Sequence, residues 1–265
     1  MIMLNTIVDM FFSLVSVILM GTLDVRSGLL YIIIDNPYHP VNSSLGAFTA
    51  SFWTFSLYLT VVAIPLQFIY RYGIIARHSP YSRGQLMLMI LGFVAYITVH
   101  SFLCPVTMHE KSKVYDDMLE LNPIFKNNLP NAYLVGDSRT FNMNRLHVLH
   151  CQIVLIVCYA FTIVFGYKTW KIMKSHQHEL TPERREMQTE ISRIIVLQAI
   201  YPVVAMAIPL FFLAAVPFMH DESGDKFNFY WLGMVGIGLV NLIPILNCIS
   251  VIFVIPQYRK AVFCN

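Results

Sequence analysis

The chain has 265 residues, of which 57% are apolar and only 12% are charged, and its mean hydropathy is +0.61. That much apolar surface exceeds what a soluble domain of this length could bury, so the composition indicates a membrane protein. The net charge of +3 is small and dispersed among loops, which argues against a nucleic-acid partner.

The N-terminal stretch predicts a first transmembrane helix at about 2–23, interrupted only by Asn5 and Asp9. A cleaved signal peptide is the alternative, but the stretch has no basic n-region and is followed by a poor cleavage site. Asp9 is an acidic residue inside a predicted span, and an ionised carboxylate there is costly. We therefore expect it to face the bundle, pair with a polar neighbour or be protonated. A ligand or ion role and a structural role both stay open.

Five further stretches without Asp, Glu, Lys or Arg are each longer than the roughly 20 helical residues that cross a bilayer. They predict spans at about 45–70, 85–105, 147–169, 190–217 and 229–255. The predicted fold class is all-α, a polytopic membrane helix bundle of six helices in a single transmembrane domain covering residues 1–265.

The distribution of Lys and Arg among the loops sets the orientation, because basic residues accumulate on the cytoplasmic side. It places the N-terminus inside, the long loop 106–146 outside and the basic loop 168–189 in the cytoplasm. The sequon that starts at Asn42 then lies outside, which makes Asn42 a candidate glycosylation site. Sequons this short also occur by chance.

Prolines and polar residues stand out in the last two predicted spans. Pro202 and Pro209 remove backbone hydrogen bonds and favour bends, which suit either a conformational switch or a kinked structural helix. The last span carries Asn241, Pro244 and Asn247. Polar side chains at such depth usually face other helices, where they find hydrogen-bond partners.

Cysteines and histidines gather near the predicted outer ends of two spans. Cys104 and Cys151 could form a disulfide, although free buried thiols are the favoured alternative. His100, His147 and His150 lie close to these cysteines in sequence, and the set could imitate a zinc site. No CxxC pair or carboxylate supports that interpretation, so the sequence alone predicts neither a metal nor a cofactor.

Three segments carry a resemblance to a known family. They are LQFIYRY at 66–72, TPERREMQTEISRIIVLQAIYPVVAMAIP at 181–209 and NLIPILNCISVIFVIPQYRKAVF at 241–263. Together with the order of the spans, they resemble the nematode serpentine chemoreceptors, and most of all their class delta (Srd) family. The resemblance covers nearly the whole chain but starts at the second of the family's seven helices, so the first span is expected to be absent.

The resemblance implies a G-protein-coupled receptor for an unknown small environmental chemical, in the plasma membrane of sensory neurons or their cilia. It implies a heterotrimeric G protein as the partner. Arg71, flanked by Tyr70 and Tyr72, would occupy the cytoplasmic end of the family's third helix, where many such receptors hold an arginine that engages the G protein. Arg184 and Arg185 would belong to the G-protein-facing surface. Because Tyr70 stands where the best-known receptor class has an acidic residue, a local ion-pair lock does not carry over.

Other functional classes find less support in the sequence. No HExxH, GxSxG or Walker A motif is present, so we expect no enzyme. A small-solute transporter is the stronger rival, but it would show matching broken helices in two halves of the chain, and we find no internal repeat. A truncated receptor remnant that does not signal is a further alternative.

Overall fold

The computed structural model describes residues 2–26, 28–38, 42–77, 81–137, 139, 142–175, 181–209, 211 and 230–263. The long helices are α1 (Ile2–Leu19), α2 (Ser43–Arg77), α3 (Arg83–Phe102), α6 (Asn142–Ser175), α7 (Pro182–Pro202) and α8 (Tyr230–Val254). The short helices are α4 (Cys104–Thr107), α5 (Lys113–Leu119) and α9 (Pro256–Phe263).

Within these ranges, four helices are long and apolar enough to cross a membrane. They lie in Leu45–Ala76, Arg83–Thr107, Met143–Ser175 and Gly233–Val254, and the apolar helix Met3–Leu19 is shorter. The predicted membrane helix bundle is confirmed by this architecture. Because α3, α6 and α8 leave most of their apolar side chains exposed, those side chains provide the surface that faces lipid.

Helix α2 runs through the centre of the bundle and packs against α1, α3 and α6. Its small polar side chains would be costly there without partners. The hydroxyls of Ser51, Thr54, Ser56 and Thr60 each donate a hydrogen bond to a backbone carbonyl three or four residues earlier in the same helix. The apolar interior therefore contains no unpaired group from these four residues.

A four-stranded antiparallel sheet caps one end of the bundle, which the all-α prediction did not include. Its strands are β1 (Gly21–Arg26), β2 (Leu29–Ile34), β3 (His109–Glu110) and β4 (Ala132–Asp137), in the order β1-β2-β4-β3. The turn between β1 and β2 contains Gly28 with a φ of 81°, a backbone conformation that favours glycine.

The central strand β2 is buried on both faces, which explains its continuous apolar sequence. Ile32 and Ile34 pack into the core of the helix bundle. Tyr31 and Ile33 point to the other face, where they join a second apolar cluster with Leu119 of α5. The sheet is therefore held between the helix bundle and the segment that contains α5.

Several helix ends differ from the predicted spans, and those of α1 and α7 have a clear physical reason. Helix α1 ends at Leu19 rather than near residue 23, because Met20 adopts a left-handed φ of 46° and β1 begins at Gly21. Helix α7 changes into a π-helical turn, Val203–Ala207, directly after Pro202. That change follows from the missing proline N–H, since the backbone must rearrange around it. Residues 212–217 of the predicted span lie outside the described ranges.

Candidate functional site

An apolar cavity lies beneath the β1–β2 hairpin, between α2, α4 and α6, and has a volume of about 80 Å³. We call it the hairpin cavity. Its walls on α2 are Trp53, Thr54, Leu57 and Tyr58, and the hairpin covers it with apolar side chains that include Leu23, Leu30 and Ile32. A mainly apolar cavity with a small number of polar groups is typical of sites that bind small organic molecules.

The two cysteines proposed as a disulfide, Cys104 and Cys151, both line the hairpin cavity. Each is a free thiol in the structure, so the candidate disulfide is not formed. The Sγ atom of Cys104 lies 3.3 Å from Nε2 of His147, which lines the same cavity. The cavity wall on this side therefore includes two thiol groups and an imidazole group.

A buried polar cluster joins three helices around Asp9, whose exposed fraction is 5%. The side-chain amide of Asn247 on α8 donates to the Asp9 carboxylate at 2.8 Å, and that of Asn5 donates to the same oxygen at 3.2 Å. Gln67 on α2 in turn donates to Asn5 at 2.8 Å. Asp9 faces the bundle and pairs with polar neighbours, one of the outcomes expected from the sequence.

Other polar and proline positions in α8 and after α7 are divided between the interior and the surface. Asn241 is exposed on the outside of the bundle, contrary to the expectation that it faces other helices. Pro244 is buried within α8. Pro209 is buried too. The segment that contains Pro209 lies close to α8, because a Cβ atom added at Gly236 would be 3.3 Å from the Cβ atom of Pro209.

An arginine junction connects α2 to α7 at the end of the bundle opposite the sheet. Arg71 donates hydrogen bonds to the backbone carbonyl of Gln188 at 3.1 Å and to the hydroxyl of Ser192, and its Nη2 lies 3.6 Å from the sulfur of Met173 on α6. Ser192 also donates to the Gln188 carbonyl at 2.6 Å. These three partners of Arg71 are uncharged groups.

The aromatic residues beside Arg71 have different surroundings. Tyr72 packs edge-on against Phe165 of α6, with ring centroids 5.3 Å apart, and Lys168 lies 5.8 Å from the Tyr72 ring. Tyr70 is half-buried. Arg185 is exposed in the first turns of α7, whereas the side chain of Arg184 lies outside what the structure describes.

A groove with a volume of about 550 Å³ opens next to the arginine junction, between α6, α7 and the end of α8. We call it the α6–α7 groove. Met173 and Ser192, two partners of Arg71, form part of its wall, together with Lys174 and Arg193. A change in the position of Arg71 would therefore alter the shape of this groove.

The candidate glycosylation site Asn42 is exposed next to the start of α2. Its side-chain oxygen accepts a hydrogen bond from the backbone N–H of Leu45 at 3.1 Å, the geometry of a helix N-cap. The asparagine therefore has a structural role, and its glycosylation stays a prediction.

Comparison with known proteins places this arrangement in a family. Residues 1–263 match the model of the family described as "Serpentine type 7TM GPCR chemoreceptor Str". The chain belongs to this family. The sequence is 21% identical to serpentine receptor class r-10 of Caenorhabditis elegans over 272 residues, covering 97% of this chain and 78% of the relative. The Caenorhabditis briggsae protein of the same name is also 21% identical, with the same coverage. No solved structure matches the chain.

The comparisons confirm a nematode-type serpentine chemoreceptor and correct its class. The matching family is Str and the relatives are of class r, so the resemblance to the Srd class is not supported. The family is described as one of chemoreceptors. Sequence reasoning missed Asn5 and Gln67 as partners in the Asp9 cluster, and Gln188 and Ser192 as partners of Arg71. Asn5 stands one helical turn before Asp9 and so had a readable signal.

Proposed function

We propose that this serpentine chemoreceptor binds a small, mainly apolar molecule in the hairpin cavity and signals to a heterotrimeric G protein at the arginine junction. The sheet then lies outside and the α6–α7 groove faces the cytoplasm, in the plasma membrane of sensory neurons or their cilia. We propose no catalytic role. The description of the family as GPCR chemoreceptors supports this proposal.

The observation that carries the proposal is that one central helix reaches both places. Helix α2 supplies Trp53, Leu57 and Tyr58 to the hairpin cavity, and Arg71 to the junction with α7. Tyr58 and Arg71 are separated by about 20 Å at about 1.5 Å per helical residue. A ligand that displaces α2 at the cavity therefore acts on the contacts between Arg71 and α7.

The junction offers two arrangements that a G protein could distinguish. While Arg71 holds the carbonyl of Gln188 and the hydroxyl of Ser192, α7 stays close to α2. Once those bonds break, α7 can move outward and the α6–α7 groove can open toward a protein segment. Basic side chains at this end, among them Lys174, Arg185 and Arg193, suit an acidic or amphipathic partner surface. Pro202 and the π-helical turn after it provide a place where α7 can bend.

Ligand screening in cells tests this function, with G-protein activation and solute uptake measured in parallel. We expect some compounds to activate the G protein without being taken up. The substitution Val148→Trp fills the hairpin cavity and should reduce the potency of such compounds. Leu149→Trp, on the exposed surface of the same helix, is the matched control and should leave potency unchanged. Uptake without G-protein activation would contradict the proposal and favour a transporter.

A further inference from the structure

The structure brings two pairs of metal-binding side chains into contact on facing helices. His100 and Cys104 are four residues apart on the α3–α4 segment, and His147 and Cys151 are four residues apart on α6. Residues at this spacing lie on the same helical face. Donor atoms of His100, His147 and Cys151 all lie within 4.8 Å of one another.

Two separations between the pairs match those between ligands of one tetrahedral ion. Cys104 Sγ lies 3.3 Å from His147 Nε2, and Cys151 Sγ lies 3.5 Å from His100 Nε2. Zinc binds thiolate sulfur at about 2.3 Å and imidazole nitrogen at about 2.0–2.1 Å, so tetrahedral ligands are about 3.3–3.8 Å apart. The donor atoms of His100, His147 and Cys151 therefore need little movement to bind a metal. The Sγ atom of Cys104 lies outside that group of three and must move toward it to become the fourth ligand.

Burial makes the cluster hard to explain as a chance surface feature. His100 and Cys104 are each 2% exposed and His147 is 7% exposed. Buried polar groups normally have strong hydrogen-bond partners, yet a thiol is a weak donor and a weak acceptor. A cation that takes up the free electron pairs of both imidazoles and both thiolates would satisfy all four groups at once.

His150 and Tyr96 complete the surroundings of one ligand. Nδ1 of His100 lies 3.0 Å from Nδ1 of His150, and Nε2 of His150 lies 2.7 Å from the hydroxyl of Tyr96. If Nε2 of His100 binds the metal, its Nδ1 carries the proton and donates it to His150. Nε2–H of His150 then donates to Tyr96. Partners of this kind fix the tautomer and orientation of a ligating histidine.

We propose that His100, Cys104, His147 and Cys151 bind one Zn²⁺ ion in a tetrahedral Cys₂His₂ site. The ion connects α3–α4 to α6 and forms part of the wall of the hairpin cavity, since three of its four ligands line that cavity. Zinc is selected by mixed thiolate and imidazole ligands in this geometry. The individual sequence pairs lack a CxxC motif because each helix contributes one histidine and one cysteine.

The first experiment uses the unmodified full chain, purified under reducing conditions in detergent micelles. We expect about one equivalent of bound Zn²⁺ by elemental analysis. After chelation, added Co²⁺ should give the visible absorption bands of a tetrahedral ion and a thiolate charge-transfer band, and Zn²⁺ should abolish both. Failure to bind Co²⁺ or Zn²⁺ stoichiometrically would overturn the proposal. So would isolation, without reductant, of a protein in which Cys104 and Cys151 form a disulfide.

Variants then identify the ligands. Cys151→Ser and His147→Ala should each lose stoichiometric Zn²⁺. With Co²⁺ in place of Zn²⁺, Cys151→Ser should lose intensity in the thiolate charge-transfer band, and His147→Ala should lose the absorption bands of a tetrahedral ion. His150→Ala should weaken Zn²⁺ affinity by about 10–100-fold, as loss of an outer hydrogen-bond partner does. Cys158→Ser removes another buried thiol from the same helix and should leave Zn²⁺ content unchanged. Equal Zn²⁺ content in Cys151→Ser and Cys158→Ser would overturn the assignment.

Discussion

Arg71 on α2 donates a hydrogen bond to the hydroxyl of Ser192 on α7. The same hydroxyl donates to the carbonyl of Gln188, which also accepts from Arg71, so the three groups form a closed set of hydrogen bonds between the two helices. None of the three bonds needs a carboxylate. This junction can therefore hold a resting state in a receptor that has a tyrosine, Tyr70, before its arginine.

Ser192→Ala removes one of the two groups on α7 that hold Arg71. Loss of such a bond costs the resting state about 1 kcal/mol, which corresponds to about a fivefold shift toward the active state. We expect basal G-protein activation to rise by about this factor. Met187→Ala, at an exposed position on the same helix, is the control and should leave basal activation unchanged. A decrease in basal activation by Ser192→Ala would contradict a holding role for the junction.

Asn247→Ala should weaken the cluster that joins α1, α2 and α8. It removes the 2.8 Å hydrogen bond to Asp9 and leaves a buried carboxylate with one donor fewer, which costs about 1–3 kcal/mol. We expect a lower thermal unfolding temperature for the purified receptor. Asn241→Ala makes the same chemical change on the exposed face of α8 and should have a much smaller effect. Equal effects of the two variants would show that the Asp9 contact contributes nothing.

Gly233 allows α8 to lie directly against β1, because a Cβ atom there would overlap with the carbonyl oxygen of Leu23. Gly233→Ala should force the strand away from the helix and lower stability by about 1–3 kcal/mol, as overpacking does elsewhere. Gly238→Ala is the matched control, since a Cβ at that position has no neighbour within 4 Å among the described residues outside its own stretch of helix. Thermal unfolding of both variants tests the contact, and a Gly233→Ala variant as stable as Gly238→Ala would argue against it.

Asp137 and Arg139 should make the stability of the sheet depend on pH. Burial alone would raise the pKa of the Asp137 carboxyl, but the hydrogen bonds and charge of Arg139 outweigh it and lower the pKa below its ordinary value. Nη2 of Arg139 lies 3.0 Å from Oδ2 of Asp137. A carboxyl whose pKa is lower in the folded state than in the unfolded state stabilises the folded state when the pH is above its unfolded pKa of about 4. This contribution is lost as the pH falls through the pKa of the folded state.

Thermal unfolding between pH 6 and pH 3 measures that contribution. Asp137→Asn should be less stable than the unmodified chain at pH 6, and the difference should shrink as the pH falls below about 4. Asp117→Asn, at an exposed position in α5, should follow the unmodified chain at every pH. A difference between Asp137→Asn and the unmodified chain that stays constant with pH would contradict the ion pair as its cause.

The sequence identifies the long helices well, because charge-free apolar stretches leave few alternatives in a membrane protein. It does not identify the sheet. The segment LLYIII at 29–34 is a short apolar run rich in β-branched residues, typical of a strand buried on both faces, but the predicted spans leave it in a loop. Tertiary contacts are harder still. Asp9 and Asn247 are 238 residues apart, and nothing local indicates that they meet.

For the histidine and cysteine cluster, too, the sequence does not indicate which side chains meet in the folded protein. Each pair has ordinary helical spacing. Only the packing of α3–α4 against α6 brings donor atoms of His100, His147 and Cys151 within 4.8 Å of one another and places Cys104 against His147. The orientation of Asn241 could not be predicted either, since the sequence does not say which face of α8 meets lipid. Arg71 was identified through the family resemblance, whereas its partners on α7 required the structure.

The most direct test of the account is G-protein activation by Arg71→Ala, using a compound that activates the unmodified receptor, with surface expression measured on the same cells. Arg83→Ala, which removes an exposed arginine at the start of α3, is the control. Arg71→Ala releases α7, but it also removes the guanidinium group that engages the G protein once its bonds to Gln188 and Ser192 are broken. We therefore predict that Arg71→Ala reaches the cell surface in normal amounts and no longer activates the G protein, while Arg83→Ala signals normally. Normal activation by surface-expressed Arg71→Ala would contradict the account and leave Arg71 as a membrane anchor.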